Sequence, residues 1–287
     1  MVLLLIVSPD IVVIVVPLPR WTGRPLAHPA MHAMTDPPAY VILGRGHWAK
    51  RMHVIIAGEN RKVSVIEETR QYPDENKFAY IARLTAAMIA SGAQIAWLCV
   101  LPGPHVSLMT QAALEAGLHV IVEKPWYGSE EDTERLQLLA REKRRLLAVH
   151  FEYLVLNEVE NWKTNFHPGA GLQFGGHLFL SRSDPSSIPA LHNLGCHLLA
   201  IREFAVPASS VSELQCGYGC SDERLVWIEQ GGQRLSCIDL FTHGQPIIQR
   251  FMRKVEGALK GIAFPFDLDF ALRVEKQVIA YESRMSG

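Results

Sequence analysis

A lysine directly follows an apolar run where the chain reads HVIVEKP at residues 119–125. Val120–Val122 predicts a buried strand, so Lys124 leaves that strand at its carboxyl end. An ammonium group at such a place can hydrogen-bond a substrate hydroxyl or carbonyl group and move a proton. The alternative is a lysine that only pairs with a neighbouring acid. We expect Glu123 to support the loop rather than to act as a second catalyst.

A second group of polar residues lies in LHNLGCH at residues 191–197. Asn193 and His197 are four residues apart, so they share a face if the segment is helical, whereas His192 points elsewhere. A single histidine on an apolar helix is more often part of the core. A polar partner one turn away favours a functional site, and at this point both interpretations stay open.

The stretch GRGHWA at residues 44–49 follows an apolar run and opens a predicted helix. Gly44 permits a tight turn, Gly46 lets a pyrophosphate approach the backbone, and Ala49 allows close packing of helix on strand. The free N–H groups of the helix N-terminus bind phosphate. The turn therefore predicts dinucleotide binding. The residues predicted at the cofactor are Gly44, Gly46, His47 and Trp48.

An acid at the end of the next apolar run bears on the choice of dinucleotide. Glu67 lies 21 residues after Gly46, near the spacing of a carboxylate that binds the adenosine ribose. A carboxylate repels a 2′-phosphate, so Glu67 favours NAD. Arg70 is close enough to leave NADP open.

Pro102 and His105 follow a third apolar run. Ligands bind beyond the carboxyl ends of the strands in open α/β sheets. Both residues, together with Glu123, are therefore predicted to contact the cofactor. The alternative for His105 is that it only caps the helix that follows.

The elements that must position these residues alternate in type. Strands are predicted at residues 40–43, 63–66, 95–101, 119–122 and 146–149, and helices at residues 47–57, 78–90, 106–116 and 130–145. Short, continuously apolar strands alternating with helices are typical of a parallel sheet with helices on both faces. Residues 40–150 are therefore predicted to form a Rossmann domain of the α/β class.

The pattern changes after residue 150. Strands are predicted at residues 172–181, 211–218, 224–229, 234–240 and 247–255, and helices at residues 190–204 and 268–282. Strands that follow strands without helices between them predict a mostly antiparallel sheet. Residues 151–287 are therefore predicted to form an α+β substrate or oligomerisation domain, with the last helix free to pack back on the first domain.

Residues 1–39 are predicted to lie outside the fold. Val2–Val16 is strongly apolar, but an internal Pro-Asp pair splits it into pieces shorter than the roughly 20 residues of a membrane helix. No basic region begins it, unlike a signal peptide. We expect translation to start at Met31 or Met34. A cleaved export signal is the alternative.

The overall composition excludes some functions. The 287 residues carry a formal net charge of −1, so no global field favours nucleic acid or an anionic membrane. Hydrophobic residues make up 48% and charged residues 20%, which allows a sizeable core. Five cysteines show no metal-type spacing. We expect reduced thiols, no metal site and a cytoplasmic protein.

These features, in this order, resemble the Gfo/Idh/MocA family (glucose–fructose oxidoreductase, inositol dehydrogenase and their relatives) over residues 40–287. The resemblance is most specific at residues 112–125, AALEAGLHVIVEKP, which is similar to the family signature ALxAGxHVxxEKP. It implies a Rossmann domain followed by a domain with an open, mostly antiparallel sheet. That sheet often serves as an oligomer interface, so the resemblance also implies a homo-oligomer, a dimer or tetramer, that acts on a small molecule.

The resemblance also implies roles for single residues. Lys124 is similar to the family's catalytic or substrate-orienting lysine, with a cis bond to Pro125. His197 matches the histidine of the family's DxGxH helix, which acts as acid/base or orients the substrate. The aspartate of that helix falls on Asn193 here. An amide can orient a substrate hydroxyl or His197, but it supplies no negative charge. This departure favours carbonyl or imine reduction, or a lost activity, over simple alcohol oxidation.

The expected function is that of an NAD(P)-dependent oxidoreductase acting on a sugar, a cyclitol or a related biosynthetic intermediate. Lys124 is then the proton donor or acceptor, His197 its partner and Asn193 a substrate-orienting amide. Two alternatives stay open. One is a catalytically silent dinucleotide-binding protein with a regulatory or scaffold role, and the other is a divergent imine or tetrapyrrole reductase.

Overall fold

The structure is a computed structural model and describes residues 37–166, 171–181, 187–219, 222–243 and 246–285. Most of the leader expected at residues 1–39 therefore lies outside the described residues, as does Cys220. The other four cysteines are free thiols. No helix within the described ranges is long and apolar enough to cross a membrane.

The first half of the described chain is a five-stranded parallel sheet with strand order β2-β1-β3-β4-β5. The strands are β1 Tyr40–Leu43, β2 Val63–Ile66, β3 Ile95–Leu98, β4 His119–Glu123 and β5 Leu147–His150. The helices between them are α1 His47–Gly58, α2 Lys77–Ala90, α3 His105–Glu115 and α4 Glu130–Lys143. All residues of β1, β3 and β5 are buried, as continuously apolar strands covered by helices should be. The predicted Rossmann sheet is confirmed.

The second half contains a four-stranded sheet with strand order β7-β6-β8-β9. Its strands are β6 Leu172–Leu180, β7 Ser210–Tyr218, β8 Arg224–Gln230 and β9 Gln233–Asp239. Strands β6 and β7 pair in parallel, and the other two pairs are antiparallel. The predicted fold class, a Rossmann domain followed by a mostly antiparallel sheet with helices, is confirmed.

Helical segments connect and cover this second sheet. They are a 3-10 turn at Glu152–Val155, α5 Asn157–Asn165, a π-helical turn at Leu191–Gly195, α6 Cys196–Ala205, a 3-10 turn at Leu240–His243, α7 Pro246–Ala258 and α8 Leu268–Met285. Helix α8 packs against α6 and also against α4 and β5 of the parallel sheet. One hydrophobic core runs through both halves. The domain boundary at residue 150 stays a prediction.

One predicted element is wrong. Residues 247–255 were expected to form a strand, but they lie within helix α7. The buried residues of α7 are Ile247, Ile248, Phe251, Met252 and Val255. Their spacing of one, three or four residues forms a stripe along one face of a helix. The charged residues between them lie on the opposite face. A short apolar run with this spacing matches the helical period better than the alternation of a strand.

Candidate active site

A cavity of about 1150 Å³ opens at the carboxyl ends of the parallel strands. Its lining includes residues from the strands, loops and helices of the first half, namely Gly44–Trp48, Arg51, Thr69–Gln71, Tyr80, Cys99–Pro102, His105, Met109, Glu123 and Lys124. It is also lined by residues from the second half, namely Glu152, Tyr153, Leu178, Leu180, Ser181, Ile188, Asn193, Leu194, His197, Asp222 and Arg224. Because parallel strands all end at the same edge of a sheet, residues far apart in sequence meet here.

The glycine-rich turn after β1 has the geometry that a dinucleotide requires. Gly44 has φ of +135°, and a Cβ added to it would lie 2.3 Å from the main-chain oxygen of Cys99. A Cβ added to Gly46 would meet no atom within 4 Å, so the backbone is open on that side. No side chain among the described residues caps the N-terminus of α1, and no acid occupies its first turn. Its N–H groups are therefore available to a phosphate. The turn fits a dinucleotide pyrophosphate.

The loop after β2 places Arg70 and Glu67 differently. Arg70 lines the cavity, together with Thr69 and Gln71. Glu67 is exposed and is not among the lining residues. The loop after β2 thus brings Arg70 to the cavity and keeps the predicted ribose-binding carboxylate outside its lining.

The predicted residues on the nicotinamide side also line the cavity. Pro102 follows β3, and His105 is the first residue of α3. His47 is exposed at the start of α1. Trp48 lies next to it, and the guanidinium of Arg51 stacks on its indole with 5.4 Å to the ring centre.

Glu123 is tied into a network rather than left free at the rim. Its side chain is 11% exposed, and its Oε1 accepts hydrogen bonds from the indoles of Trp48 and Trp97 at 2.7 and 2.8 Å. Nδ1 of the fully buried His150 lies 3.1 Å from the same oxygen. Burial alone would raise the pKa of Glu123, but the charge of His150 and the three hydrogen bonds lower it below its usual value. The carboxylate joins the first turn of α1 to strands β3, β4 and β5.

The same network determines the charge of His150. Burial favours the neutral ring, but the carboxylates of Glu123 and Glu152 outweigh it and raise the pKa of His150. Two carboxylates thus flank His150 and favour its protonated form.

Lys124 is held by Asn193. Its Nζ donates to the main-chain oxygen of Asn193 at 2.7 Å and to the side-chain oxygen at 2.9 Å. The amide nitrogen of Asn193 donates in turn to the hydroxyl of Tyr218 at 2.6 Å. The bond between Lys124 and Pro125 is cis, as the family resemblance implies. The lysine therefore reaches from the end of β4 to the π-helical turn before α6.

His197 lies one turn further along, at the start of α6, and is 5% exposed. Burial, followed by the nearby charges of Lys124, His150 and Arg224, holds the pKa of His197 well below its usual value. The ring is therefore neutral at pH 7. It packs edge-on against the ring of Tyr153, with 5.0 Å between the ring centres.

The structure thus brings Lys124, Asn193 and His197 to one cavity with the glycine turn. The neighbouring His192 points away, with its Nδ1 3.0 Å from Glu275 in α8. Sequence reasoning missed Glu152, Tyr153 and Arg224, which also line the cavity.

A signal for one of the missed residues was present in the sequence. His150 ends strand β5, and Glu152 follows it two residues later. Glu152 thus lies just beyond the carboxyl end of a strand, as Lys124 does after β4. No comparable local signal marks Arg224 or Tyr218, because the sheet that carries them approaches the cavity only through the tertiary fold.

Comparison with a protein-family profile decides the class of the first half. Residues 39–151 match the profile GFO_IDH_MocA, described as an oxidoreductase family with an NAD-binding Rossmann fold. Residues 39–151 therefore belong to the Gfo/Idh/MocA oxidoreductase family. The match covers the glycine turn and the EKP segment. No curated protein matches the chain at the level of sequence.

Solved structures share the fold of more of the chain than the family profile covers. A UDP-N-acetylglucosamine 3-dehydrogenase from Acidithiobacillus ferrooxidans is 14% identical, with a TM-score of 0.62 over 85% of this chain and 96% of its own. An inositol dehydrogenase homologue from Azotobacter vinelandii, complexed with NADH and myo-inositol, is 14% identical, with a TM-score of 0.57 over 85% and 94%. The WlbA dehydrogenase from Thermus thermophilus, in complex with NAD and α-ketoglutarate, is 14% identical, with a TM-score of 0.63 over 83% and 92%. At 14% identity these similarities show the fold alone.

Proposed function

We propose that this Gfo/Idh/MocA-type chain is an NAD(P)-dependent oxidoreductase that moves a hydride between C4 of the nicotinamide and a carbon atom bearing oxygen. The substrate is a sugar, a cyclitol or a related biosynthetic intermediate. The observation that carries the proposal is the position of Lys124. Its ammonium lines the same cavity as the glycine turn and is fixed there by Asn193.

The residues around Lys124 support a proton-transfer role. The dinucleotide, when bound, supplies or accepts the hydride. An ammonium group carries three N–H donors, and Asn193 accepts two of them. The third is available to a substrate oxygen. In reduction the ammonium stabilises and protonates the developing alkoxide. In oxidation the neutral amine form of Lys124 accepts the proton of the hydroxyl group.

Asn193 and His197 position the reacting groups in this proposal. The Asn193 side chain fixes Lys124 and is itself fixed by Tyr218. His197 is a neutral imidazole in the same cavity, so it can donate or accept one hydrogen bond to a substrate oxygen without adding a charge. The cation Lys124 thus lies next to two neutral polar groups, Asn193 and His197.

The choice between NAD and NADP depends on the loop after β2. Glu67 is the sequence argument for NAD, and Arg70 is the argument for NADP. Because Arg70 lines the cavity and Glu67 does not, we expect Arg70 to have the larger influence on cofactor preference.

A catalytically silent dinucleotide-binding protein is the second candidate function. It is motivated by Asn193, because a neutral amide holds Lys124 where the family resemblance implies a carboxylate. An imine reductase is a variant of the leading proposal in which the reacting carbon bears nitrogen. The homo-oligomeric state stays a prediction, which light scattering after size-exclusion chromatography tests.

The decisive experiment has two stages. NADH and NADPH are first titrated against the full chain by fluorescence, and binding of at least one is expected at micromolar to low millimolar concentration. Polyols, ketosugars and cyclic imines are then screened for a change in cofactor absorbance, and Lys124→Ala is compared with Lys143→Ala, an exposed lysine at the end of α4. Loss of turnover in Lys124→Ala alone is the expected result. Full activity of Lys124→Ala would refute the mechanism, and binding without any turnover would favour the silent protein.

A further inference from the structure

Glu152 places a carboxylate at the inner end of the cavity. It is the first residue of the 3-10 turn that follows β5, and its side chain is 15% exposed. Its Oε1 lies 3.8 Å from Nε2 of His197, and its Oε2 lies 4.0 Å from Nε2 of His150. No hydrogen bond satisfies Oε2 within the part of the chain that the structure describes. Glu152 therefore stands between two imidazole rings.

The ring on one side of Glu152, that of His150, lies between two carboxylates. Nδ1 of His150 lies 3.1 Å from Glu123, and Nε2 faces Glu152. The two carboxylates raise the pKa of His150 and so favour its imidazolium form, although Nε2, 4.0 Å from Glu152, makes no hydrogen bond among the described residues. His150 is fully buried and stacks on Trp48, so its position is fixed. This fixed cation attracts and orients Glu152.

The ring on the other side is neutral and has one proton to place. Lys124, His150 and Arg224 surround His197 with positive charge, and the Tyr153 ring covers it. The carboxylate of Glu152 is the anion beside it, next to Nε2. A negative charge close to Nε2 favours the proton on that nitrogen.

The other nitrogen of His197 gives a second and independent argument. Nδ1 is buried and has no hydrogen-bond partner among the residues that the structure describes. A buried N–H group without an acceptor is costly. With the proton on Nε2, the donor faces a carboxylate instead, and Nδ1 retains only a lone pair. Both arguments select the same tautomer.

We infer that Glu152 is a positioning residue that holds His197 in its Nε2–H form. Glu152 is in turn held by His150, which is anchored on Glu123. The distance of 3.8 Å from Nε2 to Oε1 is longer than a hydrogen bond. The Nε2–H group is therefore still available to an oxygen atom of the substrate. In the catalytic setting, which rests on the proposed function, a substrate oxygen then meets two donors, Lys124 and His197.

The test uses the whole chain labelled with ¹⁵N-histidine, without cofactor or substrate. Long-range ¹H–¹⁵N spectra distinguish the two neutral tautomers and the imidazolium form, and His197→Gln and His150→Gln assign the two rings. In the unaltered chain at pH 7, we expect His197 as the neutral Nε2–H form and His150 as the imidazolium. The Nδ1–H form or the imidazolium form of His197 would overturn the inference.

Substitution of Glu152 tests the cause. In Glu152→Gln, which keeps the shape and removes the charge, we expect the ratio of Nε2–H to Nδ1–H at His197 to fall about tenfold. Glu152→Asp retains the charge and should retain the wild-type tautomer. If the Gln variant does not fold, the tautomer of His197 in the unaltered chain remains the test. An unchanged ratio in a folded Glu152→Gln chain would contradict the inference.

A matched control comes from the second sheet. His177 has its Nδ1 2.9 Å from Glu223, and neither residue lines the cavity. Glu223→Gln should alter the spectrum of His177 and leave His197 unchanged. None of these measurements needs turnover, so a catalytically silent protein would still pass them. Failure of this inference and failure of the proposed function are therefore separate results.

Discussion

The Nζ atom of Lys124 lies 2.7 Å from the main-chain oxygen of Asn193 and 2.9 Å from its side-chain oxygen. One ammonium group thus joins the end of strand β4 to the turn that precedes α6. Both acceptors are neutral, so they direct the ammonium without forming an ion pair. The contact holds the two sides of the cavity at a fixed spacing around the proton that the proposed reaction moves.

Replacing Asn193 by Ala removes one hydrogen bond to Lys124 and the bond to Tyr218, but leaves the main-chain acceptor. We expect the free energy of unfolding to fall by about 1–3 kcal/mol, because a bond to a charged group is lost. Turnover should fall while the affinity for NADH is retained. Denaturation followed by tryptophan fluorescence measures the first effect. Asn165→Ala, an exposed site at the end of α5, is the control, and equal losses in both variants would contradict the prediction.

Replacing Glu123 by Gln should lower the free energy of unfolding by more than Asn193→Ala does. The carboxylate accepts from two indoles and favours the protonated form of the buried His150, so its loss removes the partner of that charge. Removing one member of such a pair costs roughly 3–5 kcal/mol. We expect a lower melting temperature or a failure to fold. Glu134→Gln, at an exposed position on α4, should change the free energy of unfolding by less than about 0.5 kcal/mol. A similar small effect at Glu123 would show that the network is not structural.

The same pair predicts how stability depends on pH. The pKa of His150 is raised in the folded chain. Its contribution is therefore fully present below the unfolded value of about 6.5 and is lost as the pH rises through the folded value. The pKa of Glu123 is lowered, so its contribution is present above about pH 4.3 and is lost as the pH falls through the folded value.

The contribution of His150, which is lost as the pH rises, is measured by the difference in unfolding free energy between the unaltered chain and His150→Gln. We expect the difference to be larger at pH 6 than at pH 9, because only the unaltered chain gains from the bound proton. Urea denaturation at both pH values measures it. A difference that does not change with pH would mean that His150 is neutral in the folded protein.

Local patterns predicted most of the parallel sheet and the edge of it that lines the cavity. Strands such as β1 and β3 are short and continuously apolar. The glycines of GRGHWA follow β1 directly, so the strand pattern and the turn residues both predict the same structure there. Helix α7 was the exception. A run of two isoleucines followed by polar residues satisfies a strand pattern over a short window, and its helical stripe is evident only over nine residues.

The charged groups beneath the cavity could not be predicted as a network. Glu123, His150 and Glu152 each follow or end an apolar strand, which indicates the edge of the sheet. Which nitrogen faces which carboxylate depends on side-chain packing against Trp48 and Trp97. The contact of Lys124 with Asn193 likewise depends on the docking of the second half, which no local period encodes.

Cofactor preference should depend on Arg70 more than on Glu67. Arg70 lines the cavity after β2, so Arg70→Gln should weaken NADPH binding by about tenfold and leave NADH within about twofold. Glu67 is exposed outside the lining, and Glu67→Gln should change neither affinity by more than about twofold. Fluorescence titration of both nucleotides measures these ratios. Tighter NADPH binding in Glu67→Gln would instead support a ribose-binding carboxylate.

The two glycines of the cofactor turn should separate folding from binding. Gly44 has a positive φ, and an added Cβ would lie 2.3 Å from the Cys99 oxygen. The backbone conformation alone costs about 1–3 kcal/mol for alanine, and the clash adds to it, so Gly44→Ala should lower the free energy of unfolding by at least that amount. Gly46 has φ of −71° and ψ of 176°, which alanine adopts, and its Cβ would meet no atom within 4 Å. Gly46→Ala should therefore fold normally and bind NADH at least tenfold more weakly, because the methyl group occupies the space of the pyrophosphate. Thermal melting and NADH titration of both variants measure the two effects. Unaltered NADH binding in Gly46→Ala would show that the cofactor phosphates do not approach this turn.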